Sequence, residues 1–495
     1  MNTEIEMNSN KLVAFLQKSP ANFNKNDIIA YIKANNVHHV NFMYPVGDGR
    51  LKTLNFFINN QSYLEEILTF GERVDGSSLF SFIKAESSDM YVLPRYRTAF
   101  VDPFAELPTV SLLCSFFDKD GLPMESSPEY TLNKACKEFR KVTGMNFQAM
   151  GELEYYIIRD DDGLFPAEDQ HGYHESAPFV KFGEFRKKCM QYIAMTGGEI
   201  KYGHSEVGNF TLDGKIYEQN EIEFLPTSAR DAADQIVLAK WVIRNLAYEC
   251  GYDATFAPKI TVGQAGSGLH IHMRIMKDGK NMMLTNGVLS DIARKAIAGL
   301  MDVAPAITAF GNINPTSYYR LVPNQEAPTK ICWGDRNRSV LVRVPLGWTG
   351  KNNMCAEANP NEPISKILNT GQKQTVEIRS SDSSSDIYLL IASLAVACRH
   401  GFEMKDALEF TKKTYVDVNI HKEENKYLSD SLENLPKSCM ESADKLISKR
   451  SIFEEHNVFD SYMIDGVIKS LKSYKVKSNS PGEIAANVEK FFYAG

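Results

Sequence analysis

The sequence predicts an α+β protein with one small and one large domain. Three observations lead there. A chain of 495 residues exceeds what one hydrophobic core ordinarily organises. Its N-terminal part reads as a helix followed by a hairpin, and the remainder mixes charge-bearing strands with long helices rather than repeating a strand–helix unit.

Taken in order, residues 26–36 carry an amphipathic helical pattern, and HHVNFMYPVGDGRLKTLNFFI alternates on either side of Asp48-Gly49, a strong hairpin dipeptide. The small unit continues through VDGSSLFSFIKAESSDMYVLP to TAFVDPFAELPTVSLLCSF. Residues 118–127, rich in charge, Gly, Pro and Ser, then read as a linker, which divides the chain into domains 1–117 and 118–495. Within the second, long helices are expected over 229–251 and 386–408, and a charge-rich helical segment from about Lys437. No internal repeat, low-complexity tract or heptad run suggests a scaffold.

A formal net charge of −7 supplies no field that would gather nucleic acid or anionic membrane, so neither is expected as a partner. The start MNTEIEMNSNKLVAF lacks the basic and apolar runs of a signal peptide, and no stretch reads as a membrane span, so a cytoplasmic location is expected. The eight cysteines form no C-x-x-C pair; zinc and redox motifs are unsupported, and the plain reading is small core hydrophobes.

Five segments place charge at period two, the spacing that lines one face of a strand. They hold Glu152 and Glu154; Glu221 and Glu223; His270 and His272; Arg336, Arg338 and Arg343; Glu377 and Arg379. Any one alone is commonly an alternating strand with a wet side. Five together, set among β-branched and aromatic residues, put charge where burial is unfavourable unless it is paired or metal-bound. Carboxylates, imidazole and arginines converging on one sheet suit divalent metal and polyphosphate, and the excess of oxygen ligands favours Mg²⁺ or Mn²⁺ over zinc. No Walker loop occurs, and GQAGSG at residues 263–268 reads either as a flexible turn or as a close backbone approach to a ligand.

The order of VDGSS, ESSDMYVLP, GELEYY, HSEV with QNEIEF, ATFAPK, GSGLHIHM, SYYRLVPNQEAP, WGDRNRSVLVRVP and VEIR resembles the type I glutamine synthetases over nearly the whole chain. The resemblance implies a β-grasp-like N-terminal domain and a catalytic domain with a curved antiparallel sheet flanked by helices. It implies ATP-dependent ligation of ammonia to the γ-carboxylate of glutamate through γ-glutamyl phosphate, with two Mg²⁺ or Mn²⁺ ions. Glu154, Glu206 and Glu221 would hold the metal nearer the amino acid, and Glu152, His270 and Glu377 the one at the nucleotide phosphates. His272, Arg338 and Arg343 would contact ATP, and Arg338 and Arg379 would neutralise the transferring phosphoryl. Arg320 and Gly266 would bind glutamate. Ser78, Tyr173 and Glu206 would bind ammonium, Asp75 would deprotonate it, and Glu326 would cover the intermediate. The implied assembly is a double-ring dodecamer with sites between subunits.

Four departures stand out from that resemblance: Ala265 where asparagine is usual, Thr375 where a basic residue is common, the serine run SSDSSSD after Arg379, and a longer chain between Glu206 and Glu221. Glu433 occupies the place of a tyrosine that some bacterial members adenylylate, so that control is not expected. Two other functions remain open: a γ-glutamyl ligase for another amine, such as a polyamine or aromatic amine, and a non-catalytic regulatory member.

Overall fold

A computed structural model describes residues 3–47, 49–80, 88–323, 325–347, 352–362, 370–474 and 480–495. The N-terminal sheet contains β1 (His39–Pro45), β2 (Leu51–Phe57), β3 (Glu72–Asp75), β4 (Asp89–Pro94), β5 (Phe100–Val101) and β6 (Thr109–Phe117). Their order is β2-β1-β6-β4-β3, with β5 beside β6. The expected β1–β2 hairpin is present, antiparallel from His39↔Phe57 to Pro45↔Leu51; Asp48 itself lies outside the described residues, and Gly49 takes a φ of 77°. Strand β1 runs parallel to β6, so the chain must cross over between them. The expected helix occupies Lys25–Ala34, and a second spans Gln61–Phe70. Their apolar faces, including Ile28, Ile32, Leu64 and Leu68, join Val40, Phe42 and Leu112 in one core.

The second sheet is built on β7 (Asn146–Asp160), β8 (Ile200–Leu212), β9 (Lys215–Phe224), β10 (Leu269–Lys277), β11 (Trp333–Asp335), β12 (Val342–Val344) and β13 (Val376–Ile378). It runs β11-β12-β13-β10-β7-β9-β8, antiparallel throughout this path except for the parallel pair β11–β12. Alternation divides its residues into two sets. Leu153, Tyr155, Ile222, Phe224, Leu269, Ile271, Val376 and Ile378 enter the large core, where the helices Pro128–Thr143, Ala229–Cys250, Asp291–Gly311, Ile387–Glu403 and Cys439–Glu454 pack. The residues between them face the opposite side, where the charge collects.

Three sequence expectations need correction. The helix expected over 386–408 ends at Glu403, because the buried apolar run gives way to charged residues and the backbone turns extended at Met404; a separate helix, Ala407–Lys413, follows. The segment 335–344 is not one continuous strand: Arg336 is exposed in a left-handed conformation, φ 56°, and Arg338 lies in the following turn, so the period-two reading fails there. Of the eight free cysteines, Cys250 and Cys355 are exposed rather than core residues. Among the described residues, no single helix is long and apolar enough to cross a membrane.

A buried ion pair joins the N-terminal domain to the helix Ala229–Cys250. Arg95 donates to both carboxylate oxygens of Asp234, at 2.6 and 2.8 Å, and Tyr388 Oη donates to the same carboxylate at 2.6 Å. Burial pushes the Asp234 carboxyl up, but Arg95 outweighs it and holds the group below its ordinary range. Met43, Phe100 and Leu113 pack beside this pair against Leu238 of the helix Ala229–Cys250. Asp234→Asn should therefore destabilise the protein by about 3–5 kcal/mol, because it strands a buried guanidinium. Replacing both partners with Met and Leu should recover much of that loss in thermal unfolding. Since the folded-state value is depressed, the pair's contribution is complete above the unfolded carboxylate value and is lost as pH falls through the folded one. The difference between wild type and Asp234→Asn should thus persist at neutral pH and shrink only in strong acid.

Candidate active site

Strand register brings the period-two residues together. His270 lies opposite Glu152 across β10–β7, Glu154 opposite Glu221 and Glu152 opposite Glu223 across β7–β9, and His272 and Arg343 each opposite Glu377. These side chains line one cavity of about 860 Å³, which also receives Tyr173, Glu206, Gly266, Arg320, Glu326, Arg338 and Arg379.

One group forms around Glu152, His270 and Glu377, whose ligand atoms lie within 4.8 Å of one another. His270 Nδ1 is 3.1 Å from Glu152 and 3.6 Å from Glu377. His272 Nε2 is 2.7 Å from Glu152, while its Nδ1 meets Thr375 Oγ1 at 2.8 Å. Thr375 thus orients an imidazole at a position where a basic residue is common. Burial pushes the Glu152 carboxyl up, but the two imidazoles overcome it and hold the group well below its ordinary range. Against its own burial, His272 is raised by Glu152. Glu377, 1% exposed, accepts from Arg343 and Arg379 at 3.1 Å each.

The other carboxylates stand differently. Glu206 lies in a register shift between Ser205 and Asn209 of β8. That bulge is why no alternation marks it in the sequence. Burial and the neighbouring Glu154 push its carboxyl up to about 8. Glu221 is also held well above its ordinary range, by burial first and then by Glu152, Glu154 and Glu206. A second ligand-competent group, His204, Glu221 and Glu223, has its donor atoms within 4.8 Å, with His204 Nε2 3.0 Å from Glu221. Burial lowers the His204 imidazole. The remaining carboxylate, Glu223, is engaged by Lys201 at 2.6 Å and by Tyr202 Oη.

Several structural partners were not singled out in the sequence. Gln219 is fully buried and donates to Glu154 at 2.9 Å and to the Gly266 carbonyl at 3.1 Å. It sits two residues before Glu221, so the period that marks Glu221 and Glu223 also reaches it. Gly268 N–H donates to Glu154 at 2.7 Å. A Cβ on Gly268 would meet Arg320 at 2.4 Å and His270 at 2.8 Å, and one on Gly266 would meet the Pro258 carbonyl at 2.4 Å. Both glycines therefore serve a close approach rather than a loose turn. His204 and His174 add rings beside Tyr173, at 4.4 Å from each other and 4.2 Å from His174 to Tyr173.

Arg320 is buried and donates to the Ser380 carbonyl at 2.9 Å, with Nη2 3.4 Å from His270. Burial lowers its guanidinium. Arg379 donates to the Arg338 carbonyl; Arg338, against its burial, is raised by Tyr173. Enclosure and then Glu154 raise the Glu326 carboxyl.

Asp75 and Ser78 do not join this cavity within one chain. Asp75 ends β3 exposed, with Ser77 and Ser78 hydroxyls donating to it at 2.7 Å each. Those serines and Ser88 hold it below the ordinary carboxylate range. It is therefore ionised at neutral pH and well suited to bind a cation, though weaker as a base.

Comparison with known proteins places this geometry. The family model for the glutamine synthetase β-grasp domain matches residues 36–119, and that for the glutamine synthetase catalytic domain matches residues 125–479. Glutamine synthetase of Thermus thermophilus is 32% identical over 394 residues, 77% of this chain and 81% of its own. That of Clostridium saccharobutylicum is 29% identical over 92% of this chain and 97% of its own. Among solved structures, Plasmodium falciparum glutamine synthetase superposes with a TM-score of 0.75 at 20% identity, covering 96% of this chain and 98% of that one. With both family models matched along most of its length, the chain belongs to the glutamine synthetase family, enzymes that form carbon–nitrogen bonds.

Proposed function

We propose that the chain ligates ammonia to the γ-carboxylate of glutamate at the expense of ATP, through γ-glutamyl phosphate. The observation that carries this reading is the crowding of Glu154, Glu206 and Glu221 beside the Glu152–His270–Glu377 group in one cavity. Carboxylates that burial and then mutual repulsion push above their ordinary range are a donor set that divalent cations would relieve, so the residues suit hard metals. Glu154, Glu206 and Glu221 would hold one ion and Glu152, His270 and Glu377 another. When bound, the ions supply positive charge against the transferring phosphoryl.

The protein's own groups do the rest. Arg343 and Arg379, held by Glu377, and Arg338 present cations to phosphate with His272 beside them, so little reorganisation is needed as charge moves. Arg320 and the backbone of Gly266 receive the amino acid's α-carboxylate end. Phosphorylation makes the γ-carboxyl a good acceptor, and the amine displaces phosphate once it has lost a proton. Glu206 and Tyr173 line the side from which it would enter, and Glu326 covers the cavity mouth against water. Asp75 and Ser78, exposed on the small domain, would complete a neighbouring subunit's site in a double-ring dodecamer. In this reading the domains divide between residues 117 and 118, and the enzyme works in the cytoplasm.

One observation favours a second reading. Tyr173 and His204 line the cavity beside Glu206, with His174 stacked on Tyr173 and tilted against His204; these rings could face an organic ammonium, which aromatic faces attract. The same assay separates the two. Phosphate release should require glutamate, ATP, a divalent cation and ammonium together; preference for an alkyl or aryl amine over ammonium selects the second reading, and no release with any amine rejects both.

Two further outcomes follow. Gln219→Leu, which removes one of the two hydrogen bonds that Glu154 accepts, should weaken Mn²⁺ binding by roughly 10–100-fold in titrations of the folded protein. Asp75→Asn and Glu377→Gln should each be inactive alone, and mixing the two after dissociation and reassembly should restore activity. Failure to restore it would place Asp75 outside the shared site.

A further inference from the structure

Lys259 stands in the core of the catalytic domain, 1% exposed, and none of the reacting groups described above uses it. Its ammonium donates to the Gln264 carbonyl and, at 2.6 Å, to Gln325 Oε1. Among the described residues no carboxylate lies within ion-pair distance of it. A buried ammonium satisfied by neutral oxygens is unfavourable to maintain, and burial, with the like charge of Arg320, pushes it down to about 8. Such a group calls for a reason beyond packing.

Its two acceptors belong to the two loops that bound the amino-acid end of the cavity. Gln264 belongs to the 263–268 loop, which is held independently at several points. Ala265 N–H donates to Gln170 at 2.8 Å, the Ala265 carbonyl accepts from Tyr156 at 2.8 Å, and Ser267 N–H donates to the Pro258 carbonyl at 3.0 Å. Gln325 directly precedes Glu326. Among the described residues, Lys259 is the one side chain hydrogen-bonded to the 325–327 segment. One side of the lysine is thus anchored to a fixed loop and the other to a segment whose Ala327 packs in the core but whose Gln325–Glu326 tip has no other hydrogen bond among the described residues.

We infer that Lys259 is a positioning residue that latches the Glu326 segment to the glycine loop, keeping the cavity closed while the acyl phosphate waits for its amine. This rests on the ligase reading above. Its consequence is coupling: with the latch broken, water attacks the acyl carbon, phosphate leaves and glutamate is regenerated, so ATP is consumed without amide formation.

The test measures phosphate released and amide formed in parallel, on the intact oligomer, for wild type, Lys259→Met and Gln325→Leu. Gln325→Leu removes the surface partner without disturbing the core and serves if Lys259→Met fails to fold. Expected is a rise in the phosphate-to-amide ratio on the order of ten- to a hundred-fold in each variant, with melting temperature unchanged for Gln325→Leu. The double variant should be no leakier than the worse single one, since both break the same contact. A ratio for Gln325→Leu equal to that of wild type overturns the latch. Wild type that releases phosphate but never forms an amide instead overturns the ligase reading on which it rests.

Discussion

The structure depends on one constraint: a sheet face that carries buried carboxylates must balance their charge. On the apolar face, β7, β9, β10 and β13 contribute core residues such as Leu153, Ile222, Ile271 and Ile378. The alternate positions deliver Glu152, Glu154, Glu221, Glu223, His270, His272 and Glu377 to the other side. Part of that charge is balanced internally, by imidazoles at Glu152 and by two arginines at Glu377. Glu206 and Glu221 have no arginine partner among the described residues, Glu221 meeting only the His204 imidazole, and burial and their carboxylate neighbours push both above the ordinary range. The imbalance is local, and a cation placed there would relieve it.

Precision at such a site comes from its supports. Glu154 receives Gln219 and the Gly268 N–H, and Arg320 is tied to backbone carbonyls of the serine run. That run is buried scaffold: Ser381 Oγ donates to the Leu269 carbonyl at 2.7 Å, Asn312 donates to the Ser380 carbonyl and to Asp382 at 2.8 Å each, and Lys240 donates to the Ser383 carbonyl at 2.7 Å. The run thus supplies the hydrogen-bonded floor beneath Arg320, while Glu377 and Arg379 make their contacts just ahead of it.

The small domain is held firmly although none of its described residues lines the cavity of its own chain. The Arg95–Asp234 pair and the Met43–Phe100–Leu113–Leu238 cluster fix its orientation against the helix behind the large sheet. In the assembly proposed above, Asp75 at the exposed end of β3 would serve a neighbouring site, a role that needs a rigidly presented domain. The serine neighbours of Asp75 hold its carboxyl below the ordinary range.

Period-two spacing in the sequence was enough to identify Glu152, Glu154, Glu221, His270, His272 and Glu377, because alternation on a strand is local and needs no tertiary information. The order of motifs extended this to the family and to residues without periodicity. Glu206 was hidden because a bulge interrupts alternation, and Arg336 was wrongly included because a left-handed turn breaks the strand that the spacing suggested. Gln219 was within reach of the same period, but amide side chains carry no charge to draw notice. What only the tertiary structure decided was pairing and balance: which carboxylate faces which imidazole or arginine, which are left to repel one another, and that Asp75 stands apart from the cavity. Those follow from strand register and from contacts between residues distant in sequence, such as Arg95 with Asp234 and Lys259 with Gln325, and spacing along the chain cannot encode them.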